Sequence, residues 1–293
     1  MDEKEALNWL YDRFPVGDDC FILPVDNRNL LLTIDMLHQE TDFPSGLSDY
    51  AAGWRSVAVS LSDIAAMGGK PLSLLMAYGA PRFDKEKLES FLSGSRDLCQ
   101  SFNIDLNGGD LDHHSELTVV TAAVGEATTP VRRSGANPGE LVGVTGKLGR
   151  TGAALAYFNQ GNNKDGDRLF RFEPRIEEGQ RLAEFATSMI DVSDGLARSL
   201  HQLAEINDVG FQIEYERIPL LDELDQVADT AEEKRKLGLY TGEDFELLFT
   251  APAEAKFQIA RGGGTVIGEV TKGEVLLQFG NQVSELEDRG YVH

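Results

Sequence analysis

The 293-residue chain has only two cysteines, and its 27 basic residues are outnumbered by 49 acidic ones. Two thiols build no disulfide framework, and Cys20 and Cys99 lack the paired spacing of metal-binding cysteines. Nucleic-acid binding draws its affinity from Lys and Arg neutralising phosphates, so a net charge of −22 argues against that partner. An anionic membrane surface would repel the chain for the same reason. No run reaches about 18 apolar residues, so no transmembrane helix is expected. The start Met1-Asp2-Glu3-Lys4-Glu5-Ala6 lacks the basic region and apolar run of a secretory signal. These absences predict a soluble cytoplasmic protein with neither nucleic-acid nor membrane partners. The usual nucleotide and hydrolase motifs are also missing: there is no Gly-x-Gly-x-x-Gly, no His-Glu-x-x-His and no kinase His-Arg-Asp. Gly143-Val144-Thr145-Gly146-Lys147-Leu148 only superficially resembles a phosphate loop. Its glycine spacing is wrong and no Ser or Thr follows the lysine, so it reads as a strand ending in a turn.

What is present is the 41% hydrophobic content of a globular chain, at a length that suggests two domains. Helical spacing marks residues 4–14, Ser48 to about Met67, Asp84–Phe102, Arg150–Asn159, a stretch near 174–187, and Asp194–Asn207. Short apolar runs predict strands at Phe21–Leu23, Leu30–Ile34, Leu72–Tyr78, Leu117–Val124, Leu141–Thr145 and Met189–Val192. Four more are expected at Phe211–Tyr215, Glu246–Ala251, Thr265–Val270 and Val275–Phe279, and Gly161–Asp167 reads as a polar loop. Strands and helices alternate, so the class is α+β (α/β-type). Turn-rich residues 128–140 place the boundary between domains 1–135 and 136–293.

Aspartate recurs beside glycine or at the end of apolar runs: Gly17-Asp18-Asp19, Thr33-Ile34-Asp35, Leu61-Ser62-Asp63, Gly108-Gly109-Asp110, Asp191-Val192-Ser193-Asp194-Gly195 and Gly242-Glu243-Asp244. Asp-Gly pairs also make ordinary turns and helix caps. Asp35 and Asp191, however, each follow an apolar strand, where a carboxylate projects into the crevice at a sheet's end. Asp63 shares a helix face with Ser56 and Ser60, opposite Trp54, which is either a solvated face or a polar site. Clustered carboxylates repel unless protonated or bridged by cations. Mg²⁺ meets that need with oxygen ligands, and it completes its shell with substrate phosphates.

These segments, in this order, resemble the thiamine-monophosphate kinase family of the aminoimidazole-ribonucleotide-synthetase-like superfamily. Val59-Ser60-Leu61-Ser62-Asp63-Ile64-Ala65-Ala66-Met67-Gly68 and Ile190-Asp191-Val192-Ser193-Asp194-Gly195-Leu196 carry the likeness most specifically. Arg133-Ser134-Gly135-Ala136-Asn137-Pro138-Gly139-Glu140, Gly242 through Thr250 and Gly290-Tyr291-Val292-His293 add to it. The resemblance implies direct in-line phosphorylation of thiamine monophosphate by ATP, giving thiamine diphosphate. It implies an N-terminal mixed sheet with helices that binds ATP and Mg²⁺ and pairs across a homodimer. A C-terminal α+β sandwich would close the site. By position, Asp19, Thr33, Asp35, Asp63, Asp110, Asp191 and Asp194 match ligands of several Mg²⁺ ions, with Asp63, Asp110 and Asp194 central to catalysis. Gly109, Asp110, Arg133 and Ser193 match ATP contacts, and Asp42, Glu243 and Tyr291 match acceptor-side positions.

The chain also departs from the family pattern. Asp42 stands where the family usually has His, Ile34 where it has Thr, and Leu111-Asp112-His113-His114 where it has Thr-Thr-Arg-Gly. These changes spare the metal carboxylates and alter the acceptor side. A related ATP-dependent kinase or synthetase with another acceptor, or a non-catalytic nucleotide-binding paralogue, are the alternative readings.

Overall fold

The computed structural model describes residues 9–10, 13–14 and 17–291, and most of the helix expected over 4–14 lies outside them. The N-terminal half is a five-stranded mixed sheet built from β1 (Phe21–Val25), β2 (Arg28–His38), β3 (Lys70–Ala80), β4 (Leu106–His113) and β5 (Thr118–Ala127). Its spatial order is β1-β2-β5-β3-β4, antiparallel except for the β3–β4 pair. Helices α1 (Asp49–Ala66) and α2 (Lys85–Ser101) pack together, and α1 lies against β2, β3 and β5. Ser48 caps α1 by accepting from the Ala51 N–H at 3.1 Å, and Asp84 caps α2 at Glu86 and Lys87.

The C-terminal half carries β6 (Leu141–Thr145), α3 (Arg150–Asn159), α4 (Asn163–Phe170), α5 (Ile176–Leu182), β7 (Ser188–Asp191), α6 (Leu196–Asn207) and β8 (Gly210–Glu214). After them come α7 (Ala231–Tyr240), β9 (Leu247–Ala251), α8 (Lys256–Arg261), β10 (Gly264–Thr271), β11 (Val275–Phe279) and β12 (Gln282–Glu285). Its seven-stranded mixed sheet runs β12-β11-β8-β10-β6-β9-β7. β4, α7 and β12 are not expected from the sequence, and two expected elements take another form. The polar stretch expected as a loop forms α4, because Asn162 caps it and Leu169 and Phe170 bury their side chains at its end. The helix expected over 174–187 is the shorter α5.

Two features of this fold position the site. The first is α1, which is buried on nearly every side because it is covered by its own sheet and by α5 and β7 of the other half. The helix face with Ser56 and Ser60 is therefore enclosed rather than solvated. The second is one apolar cluster that crosses the junction, joining Leu61, Ile64 and Met67 to Leu182, Met189, Phe249 and Ile259. At about 25 cal/mol per Å² of apolar surface removed from water, such a shared core holds the halves together far more firmly than a polar contact could.

The sheet's other face is apolar and open. Cross-strand register puts Ile34, Ala122 and Leu75 in one row and Met36, Val120, Ala77 and Asp110 in the next. Ile34 is 71% exposed and Met36 59%. Phe21 and Leu23 on β1, opposite Leu32 and Leu30, extend this face to the sheet's edge.

Candidate active site

Three carboxylates from distant parts of the chain meet where the halves join. One oxygen each of Asp19, Asp63 and Asp191 lies within 4.8 Å of the others. Asp19 leads into β1, Asp63 sits in the last turns of α1, and Asp191 ends β7. Hydroxyl groups orient them. Thr33 Oγ1 donates to Asp63 Oδ2, and Ser62 Oγ donates to Asp191 Oδ2 at 2.7 Å. Ser60 Oγ donates to Asp35 Oδ2 at 2.5 Å and lies 2.7 Å from Thr121 Oγ1. Asp35 adjoins the trio on β2, pointing to the α1 side like Thr33 two residues before it.

Among the described residues, Arg133 brings a cation to this group. Arg133 donates to Asp19 through Nε at 3.3 Å and Nη2 at 2.8 Å. Its backbone N–H donates to Asp18 Oδ1 at 3.0 Å. Burial and mutual repulsion otherwise dominate. Burial, then Asp35, Asp191 and Asp19, push the Asp63 carboxyl well above the usual carboxylate range, against the pull of the Thr33 hydroxyl. Asp191 is pushed up to about 7, mainly by burial and then by Asp19, with Ser62 and Arg133 opposing. Burial also raises Asp35, and burial followed by Asp63 and Asp19 raises the Cys20 thiol, so Cys20 is inert rather than nucleophilic. Oxygen-only ligands held this close, and made reluctant to ionise by one another, suit a hard divalent cation such as Mg²⁺.

Not every residue singled out in the sequence joins the trio. Asp110 lies on β4, at the opposite edge of the sheet from β1, with its carboxylate accepting from the Leu111 N–H at 2.9 Å. Its row is that of Met36, so it faces the open apolar side, whereas Asp35 faces α1. Gly109 is fixed by close approach: at φ +157, an added Cβ would lie 1.5 Å from the Met76 carbonyl oxygen. Gly109 and Asp110 border a cleft of about 650 Å³ between β4 and α2, lined also by Tyr78, Leu92, Cys99 and Ile104. Arg133 borders a second cleft of about 790 Å³ with Arg132, Phe21, Ile22 and Ile206.

The loop after β7 carries Ser193 and Asp194. Asp194 Oδ2 accepts from Gln202 Nε2 at 3.0 Å, and its carbonyl accepts from the Tyr291 N–H at 3.0 Å. Tyr291 reaches the N-terminal half, donating through its hydroxyl to the Thr41 carbonyl at 3.3 Å. Asp42 is buried with its carboxylate engaged locally, accepting from the His38 N–H and from Thr41 Oγ1, both at 2.7 Å. Glu243 lies in a turn laced to the same loop: its N–H donates to the Ser193 carbonyl at 2.5 Å, and its own carbonyl accepts from Thr151 Oγ1 at 2.6 Å. Left-handed φ values at Gly242, Glu243 and Phe245 make this a strained turn, of the kind that persists where function holds it. At Gly242 a Cβ would also press on the Ser193 carbonyl. Asp244 of the same turn is structural. It caps α3 by accepting from the Gly149 N–H at 2.6 Å and the Thr151 N–H at 3.1 Å.

Sequence reasoning placed Ser60 on the face of Asp63 without a partner, and missed the orienting hydroxyls of Ser62 and Thr121, the buried Arg55 and the partly buried Arg175. Ser60-Leu61-Ser62-Asp63 held a signal, because hydroxyls flanking a helical carboxylate are suited to orient it. Arg175 forks onto Glu246 with two bonds of 2.6 Å, and no local pattern announces that partner.

Residues 17–127 match the N-terminal domain of the AIR synthase related proteins and residues 137–277 match their C-terminal domain. Thiamine-monophosphate kinase of Halobacterium salinarum is 44% identical over the whole of both chains. That of Methanospirillum hungatei is 42% identical over 94% of this chain and 93% of its own. Among solved structures, AaThiL complexed with AMPPCP and TMP superposes with a TM-score of 0.91 at 27% identity, covering 100% of this chain and 97% of that one. The hydrogenase maturation protein HypE in complex with ATP, at 16% identity and a TM-score of 0.76 over 98% of this chain and 95% of its own, shares the fold. The chain thus belongs to the thiamine-monophosphate kinase family.

Proposed function

We infer that the protein transfers the γ-phosphoryl group of ATP to the phosphate of thiamine monophosphate, giving thiamine diphosphate and ADP. The observation that carries this reading is the Asp19–Asp63–Asp191 trio with the Arg133 fork at its edge, within a chain related along its length to these kinases. A new bond forms between an acceptor phosphate oxygen and the γ-phosphorus, and the bond from that phosphorus to the β,γ-bridging oxygen breaks. The acceptor is already largely anionic near neutral pH, so no strong general base is needed, and alignment and charge neutralisation remain. Asp19, Asp35, Asp63 and Asp191, with Thr33, would hold Mg²⁺, which when bound neutralises and aligns the two polyanions. Arg133 shifts its fork from Asp19 to phosphate oxygens, for which its planar donors are matched. Ser193 and Asp194, on the loop after β7, complete the phosphate side. Glu243 and Tyr291 line the acceptor end, with Tyr291 offering a ring to stack on a flat heterocycle. Asp42 acts there by shaping the 38–42 turn under Tyr291.

Gly109 and Asp110 enter the same site through a homodimer. The open face bearing Ile34, Met36 and Leu75, bounded by the unpaired edges of β1 and β4, supports pairing with a second copy. Two such sheets closed face to face would set β4 of one copy beside the β1 edge and Arg133 cleft of the other. Residues 1–135 then hold nucleotide, metal and dimer contact, and residues 136–293 close the acceptor side, in a cytoplasmic enzyme. Purified protein given ATP, Mg²⁺ and thiamine monophosphate should release ADP and thiamine diphosphate in equal amounts. ADP release with no thiamine diphosphate, together with turnover of another phosphorylated acceptor, would reject this reading.

A further inference from the structure

Arg55 is fully enclosed in the second turn of α1, with none of its surface exposed. Its guanidinium carbon lies 3.8 Å from the centre of the Phe170 ring, 5.3 Å from Phe245 and 5.6 Å from Phe172. Phe172 and Phe245 stack on each other, centroids 4.3 Å apart and planes 6° off parallel. Nη1 donates to the Phe170 carbonyl at 3.3 Å. Nη2 lies 2.8 Å from Glu243 Oε1, yet it is poorly aligned for a hydrogen bond, and neither it nor Nε has a hydrogen-bond partner. Removing a guanidinium from water this completely is costly, and an apolar side chain of similar size often serves stability as well or better. Stability alone therefore gives little reason for an arginine here.

Helix geometry supplies the missing reason. Arg55 and Ser62 are seven residues apart, so they share one stripe of α1 about 10 Å apart along its axis. Ser62 orients Asp191 of the metal-binding trio, and Arg55 meets Glu243 on the strained turn. One rigid helix thus contacts both the carboxylates that face the reacting phosphates and the carboxylate that faces the acceptor.

We propose that Arg55 is a positioning residue. It fixes Glu243 at a set distance from Asp191, and so determines where the acceptor's organic end sits relative to the metal cluster. This rests on the kinase reading above. The test compares Arg55→Lys, Arg55→Met, Glu243→Gln and the Arg55→Lys/Glu243→Gln double variant in the full chain. Melting temperature, and KM for ATP and for thiamine monophosphate, are measured for each. Arg55→Met should raise KM for thiamine monophosphate by about tenfold or more, the size of a lost charged contact, with KM for ATP nearly unchanged. Arg55→Lys should recover part of that loss, and its remaining effect should vanish in the Glu243→Gln background. If Arg55→Lys folds and shifts both KM values equally, or shifts the acceptor KM as much without Glu243 as with it, the positioning role is overturned. Wild-type protein that leaves thiamine monophosphate untouched overturns the kinase reading itself, before any variant is compared.

Discussion

Arg133 holds Asp19 in a two-nitrogen fork, with Nη2 at 2.8 Å and Nε at 3.3 Å, although Asp63 and Asp191 beside it need positive charge as much. The fork pairs with one of several repelling carboxylates and only eases the charge on Asp191. Lysine carries the charge without the planar pair of donors. Arg133→Lys should raise KM for ATP by about tenfold while the fold persists, the scale of a charge-assisted bond to phosphate. Unchanged ATP kinetics in a coupled assay would remove Arg133 from the nucleotide site.

Burial and then Asp35, Asp191 and Asp19 oppose the charge on Asp63. Replacing it by Asn keeps shape and removes charge. Asp63→Asn should lower turnover by at least about a hundredfold, as loss of a preorganised electrostatic element does. It should also melt at the same or a higher temperature than wild type without Mg²⁺, because a repulsive buried charge has gone. Full turnover in this variant would exclude Asp63 from the metal site.

The pH dependence follows from Asp191, which titrates at about 7 in the fold and near ~4 in an unfolded chain. Between those values the native state keeps a proton that the unfolded chain has lost, so this group's contribution to stability falls as pH rises across the window. Mg²⁺ competes with that proton. Thermal denaturation should therefore show a larger Mg²⁺-induced rise in melting temperature at about pH 7.5 than at about pH 5. An equal rise at both would contradict metal binding at Asp191.

The position of Asp110 gives a test of assembly. Copies carrying Asp63→Asn or Asp110→Asn are each expected to be inactive. If β4 serves the partner's cluster, mixing them lets one site in each mixed dimer assemble intact, recovering about a quarter of wild-type activity after random exchange. A mixture as inactive as its parts would place Asp110 in its own copy's site. Ile34→Asp on the open face should yield a monomer by sedimentation, with activity falling alongside the association.

Much of this molecule was legible in its sequence because its signals are local. Apolar periodicity marked α1, α2 and α6, and the Asp-bearing segments named the carboxylates that meet. Elements with no apolar contrast escaped. β4, Leu106 to His113, is exposed along almost its whole length and reads as glycine-rich loop. α7 is charged through most of its turns. Of the two readings open for the Ser56–Ser60 face, solvated or polar site, the structure gives the enclosed one, with Ser60 on Asp35 and Thr121 of the neighbouring sheet. Pairings such as Arg55 with Glu243 depend on long-range closure, and nothing near either residue in sequence indicates the other.

The apolar cluster that crosses the junction bears on how the chain is made. Synthesis delivers β1 to β5 and α1 well before Phe249 and Ile259 leave the ribosome. Until then the far side of α1 has no cover, and the open apolar face of the N-terminal sheet is bare as well. Such an intermediate exposes sticky surface and strand edges together, the combination that aggregates. Fast production should therefore favour inclusion bodies, and coexpressed chaperones or slower translation between residues 130 and 260 should raise the soluble yield.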